Sequence, residues 1–136
     1  MLDQPPPNLP PALNPITTEN EKTLAMLSHL TAIIGLLIAG GLGFLGPLII
    51  LLIHKEKSNF ISYHAKNSLN HPLTLLIACL VLWLLIFLGS FVCIGILFVF
   101  PLIAIIILSV VLEIMACISA SRGEWTRLPF TIEFVK

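Results

Sequence analysis

Between Leu24 and Ser121 the chain is almost continuously apolar, and one strongly polar interval, His54 to Pro72, divides it in two. That interval reads HKEKSNFISYHAKNSLNHP and holds three of the four histidines (His54, His64, His71) and three of the seven basic residues (Lys55, Lys57, Lys66). A segment that must cross hydrocarbon needs about 20 mostly apolar residues. The flanking blocks are long enough to do so, whereas the centre is not apolar enough. The chain therefore reads as an all-α, multi-pass membrane protein with a polar waist.

Composition narrows the function classes. Only 10% of the residues are charged and 57% are hydrophobic, against about a quarter charged in ordinary soluble domains. Formal net charge is zero, so no global field attracts nucleic acid, and none is expected as a partner. Cys79, Cys93 and Cys117 stand singly in apolar sequence, which suits small hydrophobic fillers better than a metal or redox pair.

Residues 1–18 contain six of the ten prolines and no basic residue, which predicts a disordered, Pro-rich arm rather than a signal peptide. The remainder, 19–136, is expected to be one membrane domain with spans near 22–40, 44–54, 70–88 and 96–120. Thr18 and Glu21 have the form of a capping box opening the first helix. Ser28, Ala32, Gly35 and Ala39 place small side chains on one face, suited to a close helix–helix seam. Gly40, Gly41 and Gly43 predict a tight turn, with Pro47 in the first turn of a short second helix. Pro72 lacks a backbone N–H, so a kink or break is expected near Asn70–Pro72. Gly89 to Gly95 forms a chargeless turn, and the last helix should end at Arg122-Gly123. In the tail, Leu128, Phe130, Ile132 and Phe134 alternate with polar residues, which predicts a strand-like interfacial segment anchored by Trp125.

Four spans make a bundle of two hairpins and bring every Lys and Arg to one side. The positive-inside bias then places both termini in the cytoplasm of a cell (inner) membrane protein.

Two stretches carry a family resemblance. Residues 46–70, with His64, Lys66, Leu69 and Asn70 in an H-x-K-x-x-L-N core, resemble the small bacterial Tic-twenty-like proteins, a domain of unknown function. So does the terminus, through Arg122, Gly123, Glu124, Arg127 and Pro129. The resemblance covers about 19–136. It implies a four-helix membrane domain, kinship with a component of the chloroplast inner-envelope protein translocon, and no established catalytic residues.

Chemistry-bearing residues are few. His64, Asn67, His71 and Thr74 fall within an arc of roughly 80° at 100° per residue, forming one polar stripe. Such a stripe serves either as a polar, proton-responsive vestibule or as a set of interhelical hydrogen bonds. A metal held by His64 and His71 is awkward, because residues seven apart lie about 10 Å apart along a helix. Glu113 is the only acid between Glu56 and Glu124, so paired-carboxylate catalysis has no basis. Inside a span it needs a partner. Counting residues from the helix ends puts Glu113 at the depth of His29 and His71, predicting a layer of His29, His64, Lys66, Asn67, Asn70, His71 and Glu113. No enzymatic activity and no cofactor are expected. The residues favour a structural or interaction subunit, bound to lipid and to other membrane proteins or itself, linked to protein translocation through the resemblance. The alternative is a small proton- or solute-conducting protein using the His/Asn/Glu layer.

Overall fold

The computed structural model describes residues 17–135, and the Pro-rich arm as far as residue 16, together with Lys136, lies outside them. The first helix, α1, covers Glu19–Ala39. Its start is fixed reciprocally: Thr18 N–H donates to the Glu21 carboxylate at 2.8 Å, and Glu21 N–H donates to the Thr18 hydroxyl at 3.3 Å. Gly40 ends it at φ 63°, a left-handed conformation that favours glycine. The chain then reverses into α2, Leu45–His54. Its ten residues rise about 15 Å, too little to cross a bilayer alone. The hairpin is close because Gly46 passes directly over Thr31, and a Cβ there would overlap that side chain.

The third helix, α3, covers Asn59–Ser90 and starts at Ser58, whose hydroxyl accepts from Ile61 N–H at 3.3 Å and donates to the Glu21 carboxylate. It runs without interruption through Pro72, so of the kink or break expected near Asn70–Pro72 the break does not occur. The ring of Pro72 is buried against neighbouring helices, although its missing N–H removes the helical donor to the Ser68 carbonyl. Packing against neighbouring helices lets membrane helices carry proline. After a turn at 91–94 and a short 3-10 segment, Gly95–Phe98, the last helix α4 runs from Val99 to Ser121 with Pro101 in its first turn.

Helix α1 packs against α2, α3 and α4; α2 lies on α3, and α3 also meets α4. Three helices are long and apolar enough to cross a membrane, and α2 is not. The chain is a multi-pass membrane protein. Among the described residues there is no strand, and the strand expected in the tail is absent. Leu128 is buried, whereas Phe130, Ile132 and Phe134 face outward. The tail's backbone groups are taken by side chains of α3 rather than by another strand.

Buried side chains gather at one end. They include Ala25 to Ala32 of α1, Phe60 to Leu75 of α3, and Ser109 to Ala120 of α4. This near end carries the start of α1 and the tail. The far end is the turn at 91–94, and the helices leading to it are largely exposed and apolar.

Candidate functional site

In the near half, α1, α3 and α4 each contribute one titratable side chain to a single hydrogen-bonded chain. Glu113 Oε2 lies 2.7 Å from His29 Nδ1; His29 Nε2 lies 3.1 Å from His64 Nδ1; His64 Nε2 lies 3.0 Å from the Glu124 carbonyl oxygen. His29 and His64 are fully buried and Glu113 is 2% exposed. The helices place them there by register, since α1 and α4 run antiparallel and Cys117 meets the Met26 carbonyl one turn below.

The donor and acceptor inventory fixes the protons. The Glu124 carbonyl can only accept, so His64 Nε2 carries a proton, and in the neutral imidazole its Nδ1 accepts. His29 Nε2 must then donate to it. That leaves one proton for the bond between Glu113 Oε2 and His29 Nδ1. Either a carboxylic acid donates to a neutral imidazole, or a carboxylate accepts from an imidazolium. Net charge is zero in both cases. The buried Glu113 Oε1 has no partner among the described residues.

His71 lies one layer further along α3. Thr131 donates its hydroxyl proton to the Pro129 carbonyl at 3.3 Å, so it accepts from His71 Nδ1–H at 3.0 Å. Ser109 Oγ, 2.9 Å from His71 Nε2, is then the donor of that pair. The rest of the stripe grips the tail. Asn67 donates to the Thr126 carbonyl at 3.1 Å. Asn70 donates to the Val135 carbonyl at 2.9 Å and accepts from Phe134 N–H at 3.2 Å and Val135 N–H at 2.9 Å. Thr74 accepts from Ile132 N–H at 2.9 Å. Trp125 closes the near end, 5.1 Å from both Phe60 and Tyr63 between ring centres.

Of the residues singled out in the sequence, His29, His64, His71 and Glu113 are brought together, and Asn67 and Asn70 lie beside them on the tail. Half-buried Lys66 stands outside this set. In the terminal motif, Glu124 contributes its backbone carbonyl and Pro129 its carbonyl, Arg122 caps α4, and Gly123 takes φ 79°. Arg127 pairs with Glu133 at 2.7 Å on the surface. Sequence reasoning missed Ser68, Ser109 and Thr131, whereas Ser28, expected in a helix–helix seam, is buried between α1 and α3. Ser68 donates to the Ser28 carbonyl at 2.8 Å. A signal existed: Ser68 is one turn after His64, and Ser109 one turn before Glu113.

Among the described residues, no group of three or more His, Cys, Asp and Glu is placed to hold a metal ion. With both nitrogens of His29, His64 and His71 engaged, the arrangement can hold protons and fix three helices to the tail.

Comparisons with curated proteins and with solved structures find no match. The resemblance to Tic-twenty-like proteins is overturned, because a different family's model covers the residues on which it rested. Short motifs in polar loops and helix ends are shared more widely than a whole-chain profile, and the link to protein translocation falls with them. The matching model is that of the magnetosome magnetite crystal formation protein family, over residues 20–135, and the chain belongs to that family.

Proposed function

We propose that this chain is a structural and interaction subunit of the membrane in which magnetosome magnetite crystals form, and that it turns over no substrate. The process comes from the family match over 20–135. The kind of role rests on one observation: the polar side chains of α3 engage α1, α4 and the tail instead of lining an open polar cavity. Groups arranged in this way hold a shape.

Both termini lie in the cytoplasm in this reading. It is supported by the gathering of Lys22, Lys55, Lys57, Arg122 and Arg127 away from the chargeless far turn. The partners are lipid and other membrane components, or further copies of the chain. A conducting role has less support, because α3 from Leu75 to Leu88 and α4 from Val99 to Leu108 offer no polar continuation of the layer.

Removing the gene from a magnetite-forming host and restoring it tests the proposal. Electron microscopy should find crystal size or number changed on removal and recovered on return. Crystals unaltered by the loss would overturn it.

A further inference from the structure

The two helical hairpins are unequal in height. Ser58 meets Glu21, so α1 and α3 start at the same level. At the other end of α1, the α1–α2 turn lies beside the middle of α3: a Cβ on Gly41 would sit 2.7 Å from Leu76 Cδ1. Leu102 and Ile106 of α4 line the same groove as Gly41 and Leu76. Helix α3 continues another fourteen residues to Ser90, about 21 Å at 1.5 Å per residue. There it meets the 3-10 segment that precedes α4, where Gly95 abuts Ile86 and Ser90.

These two turns cannot lie at one membrane surface. Phe91, Val92, Ile94, Leu97 and Phe100 are exposed around the far turn, which carries no charge, so it sits at the far membrane–water boundary and does not project far beyond it. Counting a hydrocarbon thickness of about 30 Å back from Ser90 reaches Asn70–His71. A separate feature marks the same level. The tail crosses α3 between Asn67 and Thr74 and turns Phe130, Ile132 and Phe134 outward, with Phe130 84% exposed. Aromatic and apolar side chains presented around a polar backbone suit the membrane–water interface. In this frame the Gly40–Gly43 turn stops about 9 Å inside the near boundary. The exposed Leu27, Leu30 and Ile118 permit the boundary to move toward the near end. That shift brings the turn toward the midplane and never to the far surface.

We infer that the α1–α2 hairpin is re-entrant, that only α3 and α4 cross the whole bilayer, and that the protein is a wedge fitted to strongly curved membrane. The near leaflet holds parts of four helices and the tail; the far leaflet holds two helices. Each helix with its side chains is about 10 Å across. The near leaflet is therefore the expanded one, and the membrane that best accommodates the protein is convex on the near side. This inference does not depend on the magnetite reading.

Cysteine labelling tests both parts. With Cys79 and Cys117 replaced by alanine, a membrane-impermeant maleimide reads the position of Cys93, which is exposed in the far turn. With all three cysteines replaced, Leu42→Cys reads the α1–α2 turn. Leu42→Cys should react from neither side, roughly ten-fold or more slower than Cys93 at its accessible face, because hydrocarbon excludes the reagent. Equal labelling of both from one side would mean four full spans and overturn the inference. Detergent removal into the smallest sonicated vesicles and into large extruded ones then measures orientation. The ratio of lumenal to external Cys93 should be several-fold higher in the small vesicles, where the convex leaflet is outside. The same ratio in both sizes would overturn the curvature preference even if the hairpin proved re-entrant.

Discussion

The near half of the molecule buries its side chains and the far half hardly does, although the far half is the more apolar. Around His29, His64 and Glu113 the packing is complete, with Ala25, Ser28, Ala65, Ser68, Ala116 and Ser119 all closed from solvent. Around Leu80, Trp83, Leu84 and Phe87 the same helix α3 is open along most of its surface. In water this contrast would be perverse. In a bilayer it is what the physics requires, because lipid tails satisfy a leucine as well as another leucine does. Helices are held together where small residues allow close approach and where polar groups must find partners. The near half has both along three helices, whereas the far half has close approach only at its turn, where Gly89 meets Gly95, and no buried titratable group.

The largest effect that would break this contrast comes from Glu113. Replacing it with alanine leaves His29 Nδ1 buried without a partner and opens a gap between α1 and α4. Loss of one member of a buried pair costs about 3–5 kcal/mol. Unfolding in detergent should register a loss of that order for Glu113→Ala. Glu113→Gln should lose less than half as much, since its amide can still donate to His29. A Glu113→Ala variant as stable as the parent would mean that the near half is not held by its polar chain.

Much of this arrangement follows from local rules visible in the chain. Thr18 and Glu21 cap a helix because a hydroxyl and a carboxylate three residues apart satisfy its orphan N–H groups. Gly40 turns the chain because it accepts φ 63°. His64, Asn67 and His71 share a face through helical periodicity alone. What those side chains bind was not legible. Their partners in the tail lie about sixty residues away, and nothing in WTRLPFTIEFVK says that its carbonyls and N–H groups will meet amides instead of a strand. At Pro72 the break did not follow for a related reason: the rule that proline ends helices describes exposed backbone, not a residue buried against neighbouring helices. The levels of the two hairpin turns are contact information, so their mismatch of about 21 Å appears only once Gly41 is seen beside Leu76.

The next effect sharpens the role of the tail. Asn70 is 2% exposed and makes three hydrogen bonds to the last described residues. Asn70→Ala leaves two N–H groups and one carbonyl to find water, a cost of about 1–3 kcal/mol. Hydrogen exchange at residues 132–135 should rise markedly while amides of α4 change little. If α4 loosens equally, the tail and the polar chain form one unit.

A comparable or smaller loss is expected in the first hairpin. Gly46→Ala sets a methyl against Thr31. Overpacking of this kind costs about 1–3 kcal/mol, reduced here if the Thr31 side chain can rotate away. Double substitution with Thr31→Ala should restore most of the loss. No rescue would mean that the backbone at Gly46, rather than the side-chain clash, sets the approach of α2.

The smallest effect is the most direct test of the contrast between the halves. Leu84 and Leu69 are the same residue type on the same helix, fifteen positions apart. Leu69 is 2% exposed and belongs to the cluster with Ile50, Leu51, Ile61 and Ala65, whereas Leu84 is 56% exposed on the lipid-facing part of α3. Leu69→Ala removes contacts that no detergent or lipid chain can replace, at about 2–5 kcal/mol. Leu84→Ala exchanges protein–lipid contact for lipid–lipid contact and should stay within about 0.5 kcal/mol, as surface substitutions do. Paired unfolding measurements in one detergent compare them directly. If Leu84→Ala loses as much as Leu69→Ala, the far half is covered by protein in its working state, through self-association that lipid does not replace.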